Sequence, residues 1–118
     1  MSHAEFKTVE HALSFMRDKS AEHAKAKANR VYLEQFRKSK KAILMIEAEQ
    51  KGKKTGQERE AYAYAHAEYA ELLQGLRIAV EQEETYKFQL KAAEARIEIW
   101  RTQQANQRAE YRGGSLAT

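Results

Sequence analysis

The chain has 118 residues, and its 21 Lys and Arg against 17 Asp and Glu give a formal charge of +4 with His neutral. Apolar residues make up 42% and charged residues 32%, with no Pro and no Cys. This length suits one domain, the lack of Cys excludes a disulfide framework, a zinc ribbon and a cysteine nucleophile, and no apolar run is long enough to predict a membrane span or a secretory segment.

Ala, Glu, Lys, Gln and Arg dominate the composition, and all five are strong helix formers. Ser2 followed by Glu5 fits a capping box, with the hydroxyl and the carboxylate each satisfying an amide of the first turn. Phe6, Val9, Leu13 and Met16 then recur at three and four residues, the spacing of one helix face. The stripe thins where Ala21, Ala24, Ala26 and Ala28 alternate with Lys25 and Lys27, and strengthens at Val31, Tyr32, Phe36, Ile43 and Ile46. The pattern predicts one helix over residues 2–50, with a bend near Ser20, on the order of 70 Å long at 1.5 Å per residue.

Lys51-Gly52-Lys53-Lys54-Thr55-Gly56 is the first clear break. Gly52 can take the left-handed conformation that ends a helix, and Thr55 with Glu58 makes a second capping box. The basic loop is expected over 51–56 and a short helix over 57–65. Residues 66–68 read equally well as a corner or as continuous helix. A second long helix is expected over 69–112. Its seam runs through Leu72, Leu76, Ala79, Glu83, Tyr86, Leu90, Ala93, Ile97, Trp100, Gln104, Gln107 and Tyr111. Leu73, Val80, Phe88 and Ile99 widen that arc, and Gly75 inside it reads as a place for a close crossing. Gly113-Gly114 is expected to end the helix and leave 113–118 as a flexible tail.

Two helices of this length joined by a short excursion should fold back on each other. The expected fold is all-α: a long antiparallel helical hairpin, coiled-coil-like, with a short intervening helix. Residues 1–112 make its single domain. One neighbour does not cover the arc on the second helix, and each large apolar side chain left in water forgoes roughly 1.5–3 kcal/mol. Assembly into an oligomeric bundle of at least two chains follows, with Leu72, Leu76, Tyr86, Leu90, Ile97 and Trp100 at the interface.

The charge is unevenly placed. Arg37, Lys38, Lys40, Lys41, Lys51, Lys53 and Lys54 are opposed within their stretch only by Glu47 and Glu49. Such a patch attracts a polyanion, and the amides opening a helix near Thr55 add a site for phosphate. Tyr62 and Tyr64 follow closely, as aromatic rings do where single strands stack, although on a helix they point about 200° apart. Gly52-Lys53-Lys54-Thr55 fails the phosphate-loop pattern, since the upstream Gly and strand are missing. None of His3, His11, His23 and His66 has metal-ligand spacing, so no metal or cofactor is expected. Glu94 and Glu98 share a helix side, but Lys91 and Arg101 turn them into ordinary ion pairs, and no catalytic residue is assigned.

Three runs carry a resemblance. Tyr32-Leu33-Glu34-Gln35-Phe36-Arg37-Lys38-Ser39-Lys40-Lys41-Ala42, Arg59-Glu60-Ala61-Tyr62-Ala63-Tyr64-Ala65-His66 and Ala92-Ala93-Glu94-Ala95-Arg96-Ile97-Glu98-Ile99-Trp100-Arg101 resemble stretches of small all-helical tailed-phage proteins from early replication and recombination gene regions. The likeness spans residues 30–112. That family's pattern places Pro after the histidine, where this chain has Ala67. The resemblance implies work beside single-stranded DNA, a recombinase or a single-strand-binding protein, in the host cytoplasm, and it implies no catalytic residue.

The function expected is that of a non-enzymatic DNA-binding accessory or recombination-mediator protein on an oligomeric scaffold. The seven basic residues would contact phosphates, and Tyr62 or Tyr64 would stack on bases. The alternative is a structural or adaptor protein whose helices bind a protein partner while the lysines only solubilise the tip. No membrane partner is expected, and the expected compartment is the cytoplasm.

Overall fold

The structure is a computed structural model and describes residues 6–117. Three helices account for nearly all of them: α1 (Val9–Gln50), α2 (Gly56–Ala65) and α3 (Ala67–Ala117). The chain is all-α, as its composition requires. It divides into two compact units, one made of the residues up to His23 with those from Thr85 onward, the other Ala24–Glu84. In each, α1 lies antiparallel to α3. In the first unit Arg96 Nη2 donates to the Lys7 carbonyl and Tyr86 Oη donates to Glu22 Oε2 at 3.0 Å. In the second, Arg30 holds Glu83, and Lys40 reaches Glu68 at 3.0 Å. These pairs define a helical hairpin.

The helix ends follow from local hydrogen bonds. α1 begins at Val9 and not at residue 2, because the Thr8 hydroxyl accepts the His11 amide at 3.1 Å and caps the helix there. The Ser2–Glu5 capping box lies outside the described residues. α1 continues unbroken past Ser20, whose hydroxyl bonds back to the Met16 carbonyl. α1 stops where Gly52 takes a φ of 93°. The Lys53 amide then reaches the Ala48 carbonyl at 3.0 Å and the Gly52 amide reaches that of Glu49 at 3.1 Å, the paired bonds of a Schellman motif.

Thr55 is extended and caps α2, its hydroxyl accepting the Glu58 amide at 3.1 Å. The Glu58 carboxylate returns to the Lys54 amide at 3.0 Å, so the box closes one residue earlier than its usual pattern. The corner left open between α2 and α3 is real and lies at His66, which is extended at ψ 138°. Its Nδ1 accepts the Glu68 amide at 3.0 Å, so the imidazole does the work of an N-cap and starts α3 at Ala67, two residues earlier than expected. α3 passes through Gly113 and Gly114 to Ala117. Gly52 is the only glycine with positive φ among the described residues, so these two offer no left-handed turn to stop the helix.

The second unit holds the larger buried side chains. Leu44, Ala63 and Tyr69 form its core, with Met45 packed against them. The first unit buries Val9, Ala12 and Ala93. Gly75 serves no close crossing, since a Cβ built there meets nothing within 4 Å.

Candidate nucleic-acid interface

Lys51, Lys53 and Lys54 lie in the turn between α1 and α2, Arg37, Lys38, Lys40 and Lys41 lie on α1 about three turns before it, and carboxylates of all three helices meet some of the seven. Lys41 Nζ donates to Glu60 Oε1 at 2.9 Å, Lys40 pairs with Glu68, and Lys51 lies 3.9 Å from Glu47. Arg37, Lys38, Lys53 and Lys54 have no such partner among the described residues. Lys38, Lys53 and Lys54 are exposed and Arg37 is half-buried. The seven residues therefore split into three with a carboxylate partner and four without one among the described residues.

Over residues 37–60 eight basic side chains, the seven and Arg59, face four carboxylates, those of Glu47, Glu49, Glu58 and Glu60. That excess equals the charge of the whole chain, so the remainder is electroneutral. Arg59 is a structural member of the turn: its Nε donates to the Lys53 carbonyl at 3.0 Å, and its guanidinium lies 3.9 Å from Glu49. The sequence reading had not singled it out, though its position one residue after the capping glutamate was visible.

The two tyrosines serve different lysines. Lys41 sits over the Tyr64 ring at 4.9 Å and Lys51 over the Tyr62 ring at 5.5 Å. Tyr64 then Glu60 hold the Lys41 ammonium above its ordinary range, and Tyr62 does the same for Lys51 with help from Glu47. Tyr64 meets Tyr69 edge-on at 5.4 Å, and Tyr62 lies 5.7 Å from the His66 ring. Tyr64 is half exposed, while Tyr62 is more covered. The two do not form one stacking platform, as their angular separation requires.

At the start of α2 one first-turn amide is capped by the protein itself, and the next amide opens the helical ladder. Thr55 accepts the Glu58 amide with its hydroxyl and the Arg59 amide with its carbonyl.

The α3 seam turns toward α1 of the same chain. Glu83 is buried, and Arg30 grips it through Nε and through Nη2 at 3.2 Å while its Nη1 reaches Glu34 at 3.0 Å. The two carboxylates raise the Arg30 guanidinium above its ordinary range, Glu83 foremost. Leu72, Leu76, Tyr86, Leu90 and Ile97 are half-buried on this arc with buried Ala79 and Ala93, whereas Trp100 is exposed. Arg30 was not picked out from the sequence. The signal was available, since a carboxylate in an apolar seam needs a cation from the facing helix.

Among the described residues no group of three His, Asp or Glu converges to hold a metal ion, and no helix is long and apolar enough to cross a membrane. No protein-family model, curated protein or solved structure matches the chain.

Proposed function

We propose that the protein is a non-enzymatic accessory protein that binds the phosphate backbone of single-stranded DNA along the last turns of α1 and the α1–α2 turn. The observation that carries this reading is the concentration of the chain's entire net charge over residues 37–60, with Arg37, Lys38, Lys53 and Lys54 paired to no carboxylate among the described residues. Unpaired cations on a neutral remainder bind polyanions without sequence readout. A phage-type role beside a recombinase or a single-strand-binding protein is the context that the sequence resemblance adds.

Fluorescence anisotropy with a labelled oligonucleotide tests it. Four phosphate contacts give a plot of log K against log salt with a slope of about −3 on single strands. Changing Arg37, Lys38, Lys53 and Lys54 together to Gln leaves every internal ion pair in place and should abolish binding. No binding by the unaltered protein at low salt overturns the proposal.

The adaptor reading has an observation of its own. Lys40, Lys41 and Lys51 are spent on Glu68, Glu60 and Glu47. Large apolar side chains stand in solvent on both long helices. Recovery of a protein partner that survives nuclease treatment, from a chain that binds no DNA, would favour it.

A further inference from the structure

His66 stands between α2 and α3, with the last turn of α1 beside it. Its backbone is extended, and the Glu68 amide in the first turn of α3 takes the imidazole Nδ1 at 3.0 Å in place of a helical carbonyl. The Tyr69 and Ala70 amides both take the His66 carbonyl, at 3.1 and 3.2 Å. One residue therefore opens the ladder of α3 with its backbone and caps it with its side chain. The turn it starts carries weight in the fold, because Tyr69 belongs to the core with Leu44 and Ala63, and Glu68 holds Lys40 at 3.0 Å.

An amide can donate to Nδ1 only while that nitrogen keeps its lone pair, so the capping ring is neutral and its one proton sits on Nε2. Nε2 faces Glu47 Oε2 of α1 at 3.5 Å, as an N–H should. The other charges around the ring come from all three helices. Lys51 lies 3.9 Å from Glu47 and over the Tyr62 ring of α2, which is 5.7 Å from the imidazole. Glu68 Oε2 of α3 is 3.9 Å from Nδ1 but is held by Lys40 of α1. The bond from Lys40 keeps the Glu68 carboxyl below its ordinary value, so it stays ionised above about pH 5. Both carboxylates thus have a lysine of their own. The 3.0 Å bond from the Glu68 amide is within hydrogen-bond range, and the 3.9 Å approach of its carboxylate is not, so the geometry holds the neutral ring.

We infer that His66 is a proton-operated cap: the neutral imidazole closes the α2–α3 corner, and the imidazolium releases the first turn of α3 while staying between Glu47 and Glu68. Imidazole is the side chain that ordinarily changes charge between about pH 5 and 8, and this one is 24% exposed, so solvent protons reach it. A proton on Nδ1 turns the acceptor into a donor, and the Glu68 amide then points at a second N–H and loses its partner. The new N–H turns to the Glu68 carboxylate, where it competes with Lys40. The change is local. Residues 67–70 fray and Tyr69 loosens in the core, while α1 and the rest of α3 keep their helical bonds. None of Arg37, Lys38, Lys53 and Lys54 takes part, so the inference is independent of the DNA reading.

Nuclear magnetic resonance of the full isotope-labelled chain, titrated from about pH 8 to about pH 5, tests the proposal. At the upper end the His66 ring nitrogens should show the Nε2–H tautomer. As the ring titrates, the helical Cα shifts of residues 67–70 should be lost in step with it, while those of residues 80–84 hold. His66→Asn supplies a cap acceptor that does not titrate, so it should keep the helical shifts of residues 67–70 at both ends of the range, and His66→Ala should lack them at both. An Nδ1–H tautomer at the upper end, or first-turn shifts that stay fixed while the ring titrates, overturns the inference. An Ala variant that keeps the helical shifts overturns it too. So does an Asn variant whose first turn melts at the same midpoint, since Glu47 or Glu68 is then the group responsible.

Discussion

Tyr86 shows how much a single polar side chain in the hairpin depends on its facing partner. Its hydroxyl donates to Glu22, and that bond, then burial, raises the phenol above its ordinary value of 10.0, with Lys19 pulling weakly the other way. Because the folded value lies above the unfolded one, the stabilisation is fully present below pH 10 and is lost as pH rises through the folded value. Titration followed by tyrosinate absorbance should show a late component that Tyr86→Phe removes, and alkaline unfolding of the unaltered chain should coincide with it. A variant titrating identically to the unaltered protein would refute the pairing. At this scale the sequence was legible for apolar residues and for Thr55, whose spacing to Glu58 is local. Glu83 was readable only as a flaw in a seam. Its partner Arg30 sits 53 positions away, and helical periodicity along one segment carries no information about which residue of another faces it.

Two glycines inside helical sequence have opposite meanings at the scale of the elements. Gly52 has φ 93° and carries the bonds that close α1, so Gly52→Ala forces an L residue into the left-handed region and should cost about 1–2 kcal/mol. Gly75 is helical with open space where a Cβ would stand, so Gly75→Ala should stabilise the chain by about 1 kcal/mol. Urea titration of the two variants checks both signs, and a stabilising Gly52→Ala or a destabilising Gly75→Ala would contradict the assignments. The α1 stop was readable because glycine followed a periodic run and preceded a cap. The same reading placed a stop at Gly113-Gly114, where the helix continues. Glycine permits a left-handed turn, but the hydrogen bonds to the preceding carbonyls make it, and those depend on what the chain does next. The corner at His66 stood level with a continuous helix in the sequence because histidine is outside the usual set of capping residues, and only its geometry beside Glu68 shows the imidazole in that role.

For the whole molecule, the all-α hairpin was readable from composition and periodicity, while the division into two units was not, since α1 and α3 run through it without a break. Large buried side chains belong to the second unit. The first relies on Val9, Ala12 and Ala93. Local stability follows buried apolar area, so hydrogen exchange should be slowest around Leu44, Ala63 and Tyr69 and faster around Ala12 and Ala93. Leu44→Ala should cost about 2–5 kcal/mol. Uniform protection across both units would refute this ranking. The basic patch was visible as a count of charges, but not the share of it consumed internally, because Glu60 and Glu68 reach Lys41 and Lys40 only once α2 has turned back. The same turn bears on how the chain meets a protease. Trypsin cuts after lysine where the residues on both sides can be drawn into an extended strand. Here the amides after Lys51 are tied to Ala48 and Glu49, and the Lys54 amide is tied to Glu58. The bonds after Lys51 and Lys53 are thus held by hydrogen-bonded amides, and scission there waits until the end of α1 and the cap of α2 unwind.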